Sequence, residues 1–122
     1  MESLPVDAFF AGHPDSRVLF DALRAAAEGL GDFDVRVSKS QVGLARRHIF
    51  ARAWVPARHL GEGRGAPLVL TIGFRSQDPS PRWKQIVEPS PGRFTHHLEL
   101  ASVGDIDDEV LGWLRRAYSE AG

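Results

Sequence analysis

The hydrophobic periodicity of the chain changes twice, and this change constrains the fold more than any other feature of the sequence. Near each end, apolar residues recur every three or four positions, which is the spacing of a helix buried along one face. These two segments are Asp15–Leu30 and Asp105–Ala121. Between them the period is two, and Gly and Pro separate the runs, as is typical of short antiparallel strands. The sequence therefore predicts an α+β fold, a twisted antiparallel sheet with two main helices, N-terminal and C-terminal, packed on one face.

The middle of the chain divides into six predicted strands, which we expect to follow one another as a meander. They lie near Phe33–Val37, Val42–Leu44, His48–Val55, Leu68–Phe74, Lys84–Val87 and Phe94–Leu100. A short helical turn at Val6–Ala11 is expected before the first long helix, for which Asp15 or Ser16 would be the N-cap residue. The segment Pro56–Pro67 is predicted to be a loop.

Chain length and composition limit the number of domains and the classes of chemistry. A chain of 122 residues can bury one hydrophobic core but not two, so we expect a single domain over residues 1–122. The chain has no cysteine, which excludes disulfides, thiolate metal sites and thiol nucleophiles. No apolar run reaches the roughly 20 residues that a membrane span requires. The early acids Glu2 and Asp7 are not typical of a secretory signal, so we expect a cytoplasmic protein.

Positive charge is concentrated in the middle of the chain. Residues 36–64 carry seven basic side chains against one acid, Glu62, a local balance of +6. The segments on either end, 1–35 and 98–122, are both acidic. Arg greatly outnumbers Lys, which occurs only at Lys39 and Lys84, and this usage suggests a bacterial origin. The distribution predicts a basic face on the sheet.

The strand predicted at His48–Val55 places different side chains on its two faces. Small and aliphatic residues on one face suit packing beneath a helix. The other face carries His48, Phe50, Arg52 and Trp54. Aromatic rings interleaved with cations can stack on a planar ligand or on a nucleic-acid base. A second hydrophobic layer, with the stem of Arg52 across the rings, is the alternative interpretation.

A histidine in the last predicted strand is the candidate for acid–base chemistry. The alternation of Phe94–Leu100 places His96 among apolar side chains, where it would line a pocket or belong to the core with both ring nitrogens hydrogen-bonded. Its neighbour His97 is expected to face solvent. We predict no metal site, because neighbouring strand residues point to opposite faces and the acids of Asp105–Glu109 are explained by capping of a helix.

Several short stretches, taken together, match a known pattern. They are Val6–Phe10 with Gly12, Val37–Val42, Arg46–Arg47 with Phe50–Ala51, Pro91–His96, and Asp105–Glu109 with Trp113–Leu114 and Ala117–Tyr118. On these stretches the chain resembles the bacterial domain-of-unknown-function family numbered fifty-six fifty-five. The resemblance implies a fold but no activity, and it singles out Lys39, Arg46, Phe50 and His96 as matches to recurrent polar or aromatic residues. The insertion at Arg58–Ala66 departs from the family pattern.

Three functions are compatible with these features. The favoured one is a non-enzymatic binding or accessory module, without cofactor, whose basic face receives a small anionic ligand through Lys39, Arg46, His48, Arg52 and His96. Nucleic acid stays open as a ligand but is not the favoured one, and no membrane partner is expected. An alternative is a small enzyme in which His96 is the acid or base and Lys39 or Arg46 stabilises negative charge. A third is a plain interaction module, for example a homodimer joined through strand edges or through Trp83 and the Ser76–Arg82 loop.

Overall fold

The computed structural model describes residues 3–61 and 63–122, so Glu2 and Glu62 lie outside the described residues. Within this part of the chain, six strands form one antiparallel sheet, as predicted. The strands are β1 (Asp34–Val37), β2 (Val42–Ala45), β3 (Ile49–Trp54), β4 (Leu68–Phe74), β5 (Gln85–Ser90) and β6 (Arg93–Leu100).

Two long helices close the fold, and their limits differ slightly from the predicted ones. The helices are α1 (Ser3–Phe9), α2 (Pro14–Glu28), α3 (Ala57–Leu60) and α4 (Asp108–Glu120), with a 3-10 turn at Val103–Asp105 before α4. Asp107 is the N-cap of α4, and its carboxylate accepts the Val110 N–H at 3.1 Å. The expected N-cap of α2 was wrong, because this helix begins at Pro14, whose fixed φ suits a first turn. Ser16 instead donates its hydroxyl to the Pro67 carbonyl at 2.6 Å.

The order of the strands departs from the predicted meander. The sheet order is β1-β2-β3-β4-β6-β5, so β4 pairs with β6 and β5 lies at the edge. The burial of the strands explains this order. His96, Leu98 and Leu100 of β6 are buried, whereas β5 is mostly exposed and contains Pro89, which cannot donate to a neighbouring strand. The segment Pro56–Pro67 also contains the short helix α3, which was not predicted.

The main core lies between the sheet and the long helices. One face of the sheet contributes Leu44, Leu70, Ile72 and Leu100, and α2 and α4 contribute the apolar stripes that the sequence predicted. Leu23 of α2 and Leu114 of α4 lie near the centre of these stripes, and both are 0% exposed. The helices thus cover one face of the sheet, and the opposite face is formed by the alternate residues of each strand.

A bulge in β3 changes which face receives Phe50. Leu44 and Ala45 are consecutive in β2, but they pair with Ala51 and Ile49, so Phe50 is the extra residue. Because a bulge breaks the alternation of a strand, Phe50 packs in the main core, with its ring 5.3 Å from that of Tyr118 and 5.8 Å from that of Phe33. The expectation that Phe50 shares a face with Arg52 is therefore wrong.

Replacing Leu23 or Leu114 with Ala should lower the free energy of unfolding by about 2–5 kcal/mol, because each change leaves a cavity in a packed core. The midpoint and slope of urea denaturation would measure the loss. Val18→Ala is the matched control, since Val18 lies on α2 but is 58% exposed, and we expect a change within about 0.5 kcal/mol. Similar losses in all three variants would contradict the assigned helix faces.

Candidate functional site: an arginine-lined groove

A groove of about 510 Å³ lies where β3 begins, β4 ends and β6 begins. Its remaining walls come from β1, from the segment that joins β2 to β3, and from the last turn of α4, which contributes Ala117, Glu120 and Ala121. The groove is open to solvent along part of its surface, unlike an enclosed cavity. Its size is within the range of about 300–1,000 Å³ that is common for ligand sites.

Arginine dominates the charge of this groove. Five of its lining residues are arginines, which are Arg36, Arg47, Arg52, Arg75 and Arg93. Among residues 3–61 and 63–122, none of the five makes an ion pair or a side-chain hydrogen bond, and none stacks over an aromatic ring. We call these five residues the arginine cluster. The acid that lines the groove, Glu120, is paired with Arg116 at 3.4 Å.

Other arginines of the same chain are held by the protein itself. Arg17 bridges Asp7 and Asp21. Arg82 bridges Asp107 and Glu109, at 3.0 and 2.9 Å, and both carboxylates raise its pKa. The arginine cluster therefore differs from these residues in having its hydrogen-bond donors available, and those of its positive charges that lie close together repel one another when no anion is present.

The floor of the groove is apolar and, in part, without side chains. Gly73 of β4 faces it, and a Cβ added at this position would have no heavy atom within 4 Å. Ile49 and the half-buried Phe94 add apolar surface beside it. Ile49 also covers Gly43, where an added Cβ would be 3.2 Å from the Ile49 Cδ1 atom. A ligand can thus approach the backbone of β4 closely between the charged side chains.

Two of the five predicted site residues line the groove. Arg52 is half-buried on β3, and His48 is exposed on the segment that precedes this strand. The backbone N–H of His48 donates to the Ala121 carbonyl at 3.1 Å, so this segment is tied to the end of α4. The structure thus brings His48 and Arg52 together with four arginines that the predicted set did not contain.

Lys39 and Arg46 lie elsewhere. Lys39 is exposed in the turn between β1 and β2, and its carbonyl accepts a hydrogen bond from Arg58 at 3.0 Å. Arg46 donates from Nη1 to the Tyr118 carbonyl at 3.0 Å, and its guanidinium lies 4.2 Å from the centroid of the Tyr118 ring. The expectation that Lys39, Arg46 and Arg52 share one face is therefore not met, because Arg46 is directed to α4.

His96 is a core residue with both ring nitrogens in hydrogen-bonding contact. It is 0% exposed. Its Nε2 atom accepts the Asp78 N–H at 3.0 Å, and its Nδ1 atom lies 3.2 Å from the Phe94 carbonyl, which fits a proton on Nδ1. Burial lowers the pKa of His96, and the hydrogen bonds with backbone groups offset this only in part. The ring also packs against that of Trp83 at 4.8 Å, so His96 fixes the loop after β4.

A polar row crosses the open face of the sheet beside the groove. Strand register places Arg52, Thr71, His97 and Gln85 side by side on β3, β4, β6 and β5. The Trp54 indole donates to the Thr71 Oγ1 atom at 3.2 Å, and this oxygen lies 2.9 Å from the Nδ1 atom of His97. His97 is therefore half-buried and not solvated as expected, and burial lowers its pKa.

The sequence offers a partial signal for the missed cluster members. Arg36 and Arg47 belong to the basic segment, but Arg75 and Arg93 lie outside it. These two flank Phe74 and Phe94, which are paired across β4 and β6. The pairing of β4 with β6 brings Arg75 and Arg93 to the same end of neighbouring strands. In the predicted meander, β5 lies between β4 and β6 and separates these two arginines.

The fold and this groove define an α+β domain with a basic site at the end of an antiparallel sheet. The model of the family described as a domain of unknown function, DUF5655, matches residues 6–121. The chain therefore belongs to this family, as the resemblance in its sequence predicted. Comparison with curated proteins and with solved structures gave no significant match. Each helix in the described part of the chain is too short or too polar to cross a lipid bilayer.

Arg46→Ala should lower the free energy of unfolding by about 1–3 kcal/mol, because it removes a charged hydrogen bond and a cation–π contact that hold the end of α4. Urea denaturation would measure the change. Arg64→Ala is the matched control, since Arg64 is exposed and makes no contact of this kind in the described residues. Equal stability of both variants and the parent would contradict the structural role of Arg46.

Stability should decrease as the pH falls from about 7 to 5.5, because burial lowers the pKa of His96 and of His97. The unfolded chain, with an ordinary histidine pKa of about 6.5, then binds protons that the folded chain does not. His96→Gln should make the curve of unfolding free energy against pH shallower in this range, whatever its effect at pH 8. Parallel curves for the parent and the variant would contradict the assignment.

Proposed function

We propose that this domain is a non-enzymatic binding module and that the arginine cluster receives an anionic ligand. The observation that carries the proposal is the set of five guanidinium groups around one groove, each without a partner among the described residues. Guanidinium groups form paired hydrogen bonds with phosphate and carboxylate oxygens, so an anion would satisfy these donors. It would also relieve the repulsion among those charges of the cluster that lie close together.

The positions of His96 and Arg46 favour binding over the acid–base enzyme that the sequence left as an alternative. Glu120 is engaged with Arg116, and His96 is buried in the core and is not among the lining residues. His96 also lies on β6, three strand spacings away from β2, which immediately precedes Arg46. These positions do not support an enzyme in which His96 acts together with Lys39 or Arg46, since such a mechanism needs these groups around one ligand atom.

The charge of the cluster indicates a ligand with several negative charges. Five arginines against one acid that is already paired leave an excess of about four or five positive charges in the groove. A single phosphate group carries at most two negative charges near neutral pH. A ligand with two or more phosphate groups would therefore match the groove better than a monophosphate.

Tripolyphosphate should raise the melting temperature at low salt. At about 100 times its dissociation constant, a ligand adds about 2.7 kcal/mol of stability, which corresponds to a rise of roughly 10 °C for a domain of this size. The Arg52→Ala/Arg93→Ala variant should lose most of this rise, and about 1 M salt should abolish it in the parent.

Arg64→Ala/Arg115→Ala is the matched control, because it removes the same net charge from exposed arginines that do not line the groove. It should respond to tripolyphosphate as the parent does. If both double variants respond equally, or if the parent does not respond, the proposed site is wrong.

Gly73→Leu provides a test that leaves the charge unchanged. The added side chain would project into the open space at the floor of the groove, where it meets no other atom of the protein within 4 Å of its Cβ. We expect tripolyphosphate binding to weaken at least about tenfold, measured by isothermal calorimetry, while the urea midpoint stays level or rises because glycine is unfavourable in a strand. Unchanged affinity would contradict a ligand seated on the floor of the groove.

A further inference from the structure

The arginine cluster is spread across the sheet and does not converge on one point. Arg36 lies on β1 and Arg93 on β6, which are four strand spacings apart in the sheet order. At about 4.8 Å for each spacing, the two residues are about 19 Å apart across the strands, and Arg93 is also offset along β6 by four residues from His97, which is aligned with Arg36. Arg52 and Arg75 lie between these two positions, on and just after intermediate strands. A single phosphate group cannot contact both ends of such a row, whereas a chain of phosphates can.

An aromatic side chain, that of Trp54, lies beside this row on the same open face. Trp54 is two residues beyond Arg52 on β3, a distance of about 7 Å along the strand. Its indole is half-exposed, and it is oriented by the hydrogen bond to Thr71 and by edge contact with the His59 ring at 6.1 Å. Phe94, half-buried, also lines the groove, but it is paired with Phe74 and therefore belongs to the face that the helices cover. A fixed aromatic ring beside a track of cations is the combination that binds unpaired bases.

The type of cation in the cluster also favours a ligand that carries both phosphate groups and planar bases. All five members of the cluster are arginine. The planar guanidinium can hold a phosphate with two hydrogen bonds and can also stack on a base, which the ammonium of lysine cannot do. An acidic peptide would offer charge but no regular series of planar groups for Trp54 and the guanidinium faces to stack on.

On the basis of the function proposed above, we infer that the ligand of the arginine cluster is single-stranded nucleic acid. Its phosphates run across the strands from Arg36 to Arg93, and unpaired bases stack on Trp54 and on the apolar floor between the arginines. The open face of the sheet gives an extended strand access that an enclosed pocket would not. Single-stranded DNA and single-stranded RNA both offer these phosphates and unpaired bases. The experiment below distinguishes between the two.

The test is fluorescence anisotropy with labelled single strands of about ten nucleotides, oligo(dT) and oligo(U), at several salt concentrations. Five phosphate contacts predict that the logarithm of the binding constant falls with the logarithm of salt with a slope of about −3.5. Arg36→Ala and Arg93→Ala, at opposite ends of the row, should each reduce this slope by about 0.7 and weaken binding about tenfold. Arg64→Ala should change neither quantity.

Tryptophan fluorescence gives an independent measure of stacking. Trp83 and Trp113 are 8% and 7% exposed, so quenching on addition of the strand should come from Trp54. Trp54→Phe should remove most of the quenching and retain stacking, whereas Trp54→Ala should weaken binding about tenfold. Stronger binding of oligo(U) than of oligo(dT) would assign RNA as the ligand, and the reverse would assign DNA.

The outcomes separate this inference from the function on which it rests. If tripolyphosphate binds at the cluster but neither strand does, or if a duplex binds as tightly as the single strands, the inference is overturned and the anion-binding function stands. If the strands bind and Arg36→Ala and Arg93→Ala bind them as well as the parent, the strands bind elsewhere and the inference is overturned; the anion-binding function fails only if tripolyphosphate does not bind at the cluster. Binding of the single strands with the predicted loss in both variants supports the inference.

Discussion

The sheet is covered by the long helices on one face only, and the rest of the structure follows from this asymmetry. Burial of apolar side chains such as Leu23 and Leu114 against the sheet provides the main stabilising free energy of the fold. It also fixes the strand register, because a shift by one residue would exchange the two faces. The uncovered face is then free to carry polar and charged groups that no helix could cover, including Arg52 and the polar row that begins with it.

The same arrangement explains how the protein tolerates an unpaired cluster of arginines. These side chains surround an open groove, so water solvates them in the absence of a ligand. The last turn of α4 forms one wall, and the partial negative charge at the end of a helix moderates the repulsion there. Arg46 holds that turn in place through the Tyr118 carbonyl. Arg46 thus stabilises the fold, whereas Arg47, the next residue in the sequence, lines the groove.

The sequence predicted the two long helices, the six strands and the antiparallel fold because periodicity is a local signal that burial of one face imposes. It did not predict the exchange of β5 and β6, since the pairing of Phe74 with Phe94 is a long-range contact. The bulge at Phe50 was also missed, because one extra residue reverses the alternation on which the assignment of faces depends. The exchange of β5 and β6 explains why Arg75 and Arg93 were not among the candidates, whereas His48 and Arg52 were predicted as ligand-binding residues from their chemistry.

The most direct test of the central claim is the NMR signal of the arginine side chains during a titration with tripolyphosphate. The Nε–Hε groups of the arginine cluster should shift and exchange more slowly with water, because the anion satisfies donors that have no partner in the described structure. The Nε–Hε groups of Arg17 and Arg116, already bonded to Asp21 and Glu120, should change little. Shifts confined to Lys39 and the surrounding turn, or no shifts at all, would contradict the account.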